Sequence, residues 1–260
     1  MINGYHLLQN PKNKLVLKCC GVKLYKNEKC ICKENNNEET KQSQKHGFTF
    51  ENEIREKVFN LSQESNDRNI HDIPCEKNKF DTNENISIKT TGSQIICCGD
   101  ILRFYNYNFN NKNTMIIIQY IQTETHKTIR NIYEIDYNME CHKILFGNLT
   151  EDEIKTYVEG VKSIPSSVKG SEAKNIYNYL YEKKKLSKKY NNIIQINPKV
   201  DSSQSRVQCS ITNFEKTLKK FITYKSSDEN PNIIRDKEII MSIESGKRTR
   251  ISKRNQISKP

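Results

Sequence analysis

Long apolar stretches are missing from this sequence, and apolar residues are sparse throughout. No run approaches the ~20 residues a helix needs to cross a bilayer, and the N-terminus has no apolar signal-peptide core. Hydrophobic residues make up 34% of the chain, low for a globular protein and consistent with a modest core. A regular cysteine framework is missing as well. The 9 cysteines are an odd number and include the adjacent pairs Cys19–Cys20 and Cys97–Cys98, a pattern of reduced thiols rather than secreted disulfides. No internal repeat is visible. The expectation is a soluble intracellular protein, cytoplasmic or nuclear.

What is present in excess is positive charge. A net charge of +12 and a pI near 9.1 favour a polyanionic partner, because each phosphate neutralised releases counterions. AT-rich coding would also enrich Asn and Lys, so the charge says nothing of specificity. Lys183, Lys184, Lys185, Lys188 and Lys189 form a basic run on a helical stretch and, with Arg206, are the candidate DNA contacts. A solvated helix face is the plain alternative. Lys247–Arg254 resembles a nuclear-localisation cluster.

The pattern divides the chain into an N-terminal Cys-containing extension and polar linker (1–45), a main domain (46–225) and a basic C-terminal tail (226–260). In the main domain Phe50, Ile54, Val58 and Leu61 recur at helical spacing, with Thr49 placed to cap. A strand candidate over Asn69–Pro74 is broken by its proline. Lys79–Asp81 closes a further extended piece, and Asn83–Asn85 make a turn. Ile86–Thr90 alternates, so Ser87 and Lys89 share one face of a strand. Gly92-Ser93 is expected to open a helix running to Tyr105. Thr114–Gln122 is a central strand, Ile129–Asp136 its hairpin partner, and Thr150–Val161 a helix. A second helix is expected from Glu172 to Tyr190, then short strands at Ile193–Ile196 and Arg206–Ile211.

Asp81 and Lys89 carry the candidate chemistry. Phosphodiester hydrolysis requires a barrier reduction of roughly 20 kcal/mol, and single hydrogen-bond donors supply about 3–4 kcal/mol each. Carboxylate-bound metal closes the gap, and a neighbouring lysine can orient water and stabilise phosphate charge. Asp81 would hold the metal and Lys89 would position water. Glu51, on the first helix, would support a second ion or water shell, although an acid in a first turn is favoured by the helix dipole anyway. His71-Asp72 precedes the site strand and could touch DNA or metal, or simply be a satisfied polar pair.

These residues, in the order helix acid, strand-ending acid, lysine and apolar strand, resemble the PD-(D/E)XK nuclease superfamily, and within it type II restriction endonucleases, over residues 46–136. The resemblance implies an α/β fold with a restriction-endonuclease-like mixed central sheet flanked by helices, here with additional C-terminal helices and short strands. It implies Mg²⁺-dependent cleavage of double-stranded DNA, metal ligation by Asp81, Glu51 and the carbonyl of Ile88, and a homodimer. The stretch from Pro198 to Asp201 with Arg206–Ser210 resembles viral relatives of such enzymes, which would place the protein in a virus-infected cell. One departure stands out: Ser87 occupies the position of the family's second acid. Glu84, Glu53, Gln94 or Asp100 could replace it. The alternatives are an inactive DNA-binding relative, a nuclease for RNA or DNA junctions, and a zinc module on Cys19, Cys20, Cys30 and Cys32.

Overall fold

The computed structural model describes residues 6–9, 15–19, 22–24, 49–62, 71–165, 175–176, 192–200 and 205–244. Two units are distinct, Met1–His46 and Gly47–Pro260. In the first, β1 (His6–Gln9), β2 (Leu15–Cys19) and β3 (Val22–Leu24) form an antiparallel meander. The linker Lys33–Lys45, together with Cys20, Cys30 and Cys32, lies outside the described residues.

The second unit is mixed α/β, with a mixed sheet flanked by helices. Helix α1 covers residues 49–53 and widens into a π turn over Ile54–Val58. Strand β4 (Glu84–Thr91) runs parallel to β6 (Lys112–Gln122), which pairs antiparallel with β7 (His126–Asp136). The run of isoleucines in β6 is buried on both faces, as its continuous apolar character requires. A smaller antiparallel sheet holds β5 (Ile95–Asp100), β8 (Gln195–Val200) and β9 (Ser205–Thr212), in the order β5-β9-β8. Helices α2 (Ile101–Tyr105), α3 (Met139–Phe146) and α4 (Glu151–Lys162) complete the layers, with short α5 (Phe214–Thr217) after β9.

Alternation along the central strands builds two cores. Met115, Ile117, Tyr133 and Ile135 face the smaller sheet and helices α2–α4. Ile86, Ile88, Ile116, Ile118 and Ile132 face Phe50, Ile54 and Val58 of the first helix. Helix α4 begins as its sequence dictates: Thr150 and Glu153 form a reciprocal capping box.

Three expectations change. The helix from Gly92 to Tyr105 is instead strand β5 followed by the one-turn α2. Its Ile95-Ile96-Cys97-Cys98 run pairs with β9, and Gly99 at φ 82° makes the bulge between them. Cys98 is buried in that strand and Cys97 is exposed. The strand over Asn69–Pro74 is reduced, among the described residues, to one antiparallel bridge, Ile73 to Ile86. Residues 226–244 are not a loose tail. They supply β11 (Ile233–Ile234), β12 (Lys237–Glu238) and β13 (Ser242–Glu244), and β13 pairs with β7 beside β10 (Ile222–Lys225). Ile234, Ile239 and Ile243 enter the core under β4. The helix expected at Glu172–Tyr190 and the cluster Lys247–Arg254 fall almost wholly outside the described residues.

Arg235 fastens that C-terminal segment. Its guanidinium donates to both oxygens of Glu84, at 2.9 and 3.0 Å, and to Glu134 at 2.7 Å. It also lies over the rings of Phe59 and Phe80. Burial alone would push the Glu84 carboxyl up, but hydrogen bonds from Arg235, Thr114 and Lys112 outweigh it and hold the group at about 2. Arg235→Ala would strand a buried carboxylate, and we expect a loss of about 3 kcal/mol in urea unfolding. Adding Glu84→Gln should recover part of it. A loss below ~1 kcal/mol would contradict this role.

Candidate functional site

Strand β4 is the terminal strand of its sheet in the order β10-β7-β6-β4. Its alternation puts Ile86 and Ile88 into one core and turns Ser87 and Lys89 to the opposite face. The parallel register sets Lys89 beside Ile117, so its ammonium has no water-like neighbour along the sheet. It folds back instead, donating to the carbonyl of Ile88 at 3.1 Å and to Asp72 Oδ2 at 3.4 Å.

The Ile73–Ile86 bridge delivers Asp72. Its two backbone hydrogen bonds, 3.0 and 2.8 Å, align the residues before Ile73 antiparallel to β4. Pro74 has no N–H and ends the pairing on the other side. Asp72 Oδ2 then accepts the N–H of Ile88 at 2.6 Å as well as Lys89. The Asp72 carbonyl accepts from Arg55, on the π turn of the first helix. The Lys89 and Asp72 side chains remain 21% and 26% exposed, so water partly screens the pair.

Glu51 joins from α1. Burial, then the charge of Asp72, push its carboxyl up to about 7, against the pull of Lys89 and Arg55. Burial works against the Lys89 ammonium too, but the negative charge of Asp72 more than offsets it and raises the group above its ordinary value. Lys89 is therefore a fixed cation at neutral pH and not a base. His71, held below its ordinary value by burial, is neutral there.

The structure brings together Glu51, Asp72, Lys89 and the backbone of Ile88. It does not bring Asp81 to them. Asp81 is exposed in the turn before β4, where its side chain accepts from the N–H of Asn83 at 2.8 Å. Lys89 lies five residues into β4, ~17 Å along an extended strand from its start. Lys79–Asp81 is not a strand, and the acid adjoining the Ile73–Ile86 bridge is Asp72. The signal for it was present: an acid just before a β-branched residue and a proline, which restricts its predecessor to extended geometry.

Ser87 is buried, its hydroxyl 3.1 Å from the Tyr107 hydroxyl and 3.4 Å from His71 Nδ1. None of the proposed substitutes for that acid is spare. Glu84 is tied to Arg235 and Lys112. Glu53 accepts from Lys57 and the N–H of Ile240. Gln94 bonds Glu215, and Asp100 caps α2. Arg206 sits on β9 in the smaller sheet, its Nε buried without a partner among the described residues. Lys183, Lys184, Lys185, Lys188 and Lys189 lie outside the described residues, as do the side chains of Cys19, Cys20, Cys30 and Cys32.

Among the described residues no group of three or more His, Cys, Asp or Glu side chains surrounds a metal position. The donor set nevertheless fits Mg²⁺. Two carboxylates and a carbonyl are hard oxygen donors, and Mg²⁺ is commonly held by one or two carboxylates with the remaining positions left to water and phosphate. Burial is the largest cause of the raised Glu51 carboxyl and the charge of Asp72 the second, against the pull of Lys89 and Arg55.

A carboxyl raised in the folded state binds its proton more tightly there than in the unfolded chain. Its contribution is therefore fully present below the ordinary 4.5 and is lost as pH rises through about 7. Carbon-13 NMR of the Glu51 carboxyl should give a midpoint near 7, and Asp72→Asn should lower it. A midpoint unchanged by that substitution would separate the two groups.

Comparison with known proteins returned no match to any protein family, curated protein or solved structure.

Proposed function

We propose that the chain is a Mg²⁺-dependent endonuclease acting on double-stranded DNA, with Asp72 in the role that the sequence suggested for Asp81. The observation that carries this reading is the meeting of Asp72 and Lys89 on Ile88 at the edge of β4, with Glu51 beside them. Asp72, Glu51 and the Ile88 carbonyl would hold the ion. Bound there, it supplies a Lewis acid for a phosphoryl oxygen and lowers the pKa of a ligated water. Lys89 holds its charge against the non-bridging oxygens of the scissile phosphate and hydrogen-bonds the incoming water. Asp72, receiving the Ile88 N–H, keeps the carbonyl and the ammonium in register. Arg55, anchored on the Asp72 carbonyl, ties the helix carrying Glu51 to the same point. The chain's net charge of +12 suits a DNA backbone. Site specificity and a homodimer, as in type II restriction enzymes, rest on the resemblance alone.

A second reading is a DNA-binding relative that has lost catalysis. Ser87 favours it: a buried hydroxyl engaged by Tyr107 and His71 is a poor metal ligand.

Plasmid DNA incubated with the protein separates the two. Cutting should require Mg²⁺ and stop with chelator. Lys89→Ala and Asp72→Asn should each slow it by roughly 100-fold or more, with DNA binding retained, while Asp81→Asn should cut at the parent rate. No cutting under any divalent ion would favour the inactive relative. A loss in Asp81→Asn with none in Asp72→Asn would overturn the site.

A further inference from the structure

Beside the candidate site lies a cavity of about 460 Å³ that the chemistry above does not use. Its walls are the rings of Tyr105, Tyr107, Phe109, His142 and Phe146, with Met139 at the edge. The rings hold one another in place. Tyr105 meets His142 and Phe146 edge-on at 5.2 and 4.9 Å, and Phe109 meets His142 edge-on at 5.3 Å. The Met139 side chain is 45% exposed, an apolar group left at the surface of α3.

The cavity is not purely apolar. Asn106 and Lys143 lie on its lining and are exposed. His142 Nδ1 shares a 3.0 Å hydrogen bond with the Tyr137 hydroxyl, and burial pushes the imidazole down to about 4. The ring is therefore neutral. Aromatic rings around the space and a cation at the rim suit an aromatic heterocycle joined to a phosphate. The Asn106 amide already donates to Glu151 at 2.9 Å, so the rings and Lys143 are what the cavity offers a ligand.

Tyr107 joins this cavity to the site. It lines the cavity, its hydroxyl lies 3.1 Å from Ser87 Oγ, and its ring meets His71 edge-on at 4.8 Å. Ser87 is two residues from Lys89 on the same face of β4. One tyrosine side chain thus separates the place for a scissile phosphate from the aromatic cavity.

We infer that this cavity receives an unstacked nucleobase of the bound nucleic acid, adjacent to the phosphate held at Lys89. The inference rests on the nuclease reading for its substrate and deepens it. The substrate is DNA with a base out of the stack, either extruded from the duplex or already unpaired. An already unpaired base costs no unpairing energy, so it should bind more tightly.

Fluorescence anisotropy with the full-length protein tests this in chelator, where no cutting intervenes. The probes are two short duplexes of the same sequence, one fully paired and one with a single bulged 2-aminopurine. The bulged duplex should bind about tenfold more tightly, the size of one base–aromatic stacking contact, and 2-aminopurine emission should fall as the base stacks on the rings. Phe109→Ala, which removes a wall, and Met139→Trp, which fills the mouth, should each bring the ratio of the two affinities close to one. Thermal melting of both variants checks that they are folded. Binding of both duplexes with equal affinity, or a preference unchanged in both variants, would overturn the cavity while leaving the nuclease reading in place. Binding of neither duplex would overturn both.

Discussion

The hydrogen bond from the Ile88 N–H to Asp72, 2.6 Å long, is the contact on which the site depends. One carboxylate oxygen meets both the backbone of β4 and the ammonium of the next residue. Asp72 is thereby fixed relative to Lys89 by the peptide itself, without relying on two flexible side chains finding each other. A hydrogen bond to a charged acceptor is stronger than a neutral one. The Ile73–Ile86 bridge and the proline that follows it set the register that makes the contact possible. Preorganisation of this kind holds the positive charge of Lys89 at one point.

Two acids in the same unit show how environment separates support from chemistry. Glu84 is buried at one end of β4, but Arg235, Thr114 and Lys112 supply so many donors that its carboxyl falls to about 2. It is a structural anion that closes the C-terminal segment over the sheet. Glu51 is half-buried on α1, and burial, then the charge of Asp72, raises its carboxyl to about 7. A carboxylate pushed up by burial and a like charge holds negative potential in reserve, which a cation or a proton can relieve.

Much of the central sheet was legible in the sequence. The isoleucine run of β6, the alternation of β7 and the Thr150–Glu153 capping pair are local signals, and local signals survive folding. Lys89 and Ser87 could be placed on one face of β4 for the same reason. What could not be read was pairing across distance. Ile95 and Cys98 fit helical spacing with Ile101 equally well, and only the pairing of β5 with β9, more than a hundred residues on, makes the stretch before Ile101 a strand. Asp81 takes the strand-ending role in the sequence because Lys79–Asp81 reads as the close of an extended piece, with the turn after it. The true partner segment is a single bridge, too short to show periodicity. Residues 226–244 looked like a tail because Ile234, Ile239 and Ile243 are scattered among polar residues, and because their hairpin turns on Arg235 and Asp236 in left-handed backbone, where Asn-Gly is the usual signal.

The central claim is that Asp72 and Glu51 form one oxygen-donor site beside Lys89. Calorimetric titration of the purified protein with Mn²⁺ at pH 7, in two buffers of different ionisation enthalpy, addresses it most directly. A single saturable site should appear, with release of about half a proton because Glu51 is half-protonated at that pH, and Asp72→Asn should abolish it. Absence of saturable binding, or binding undiminished in Asp72→Asn, would contradict the account.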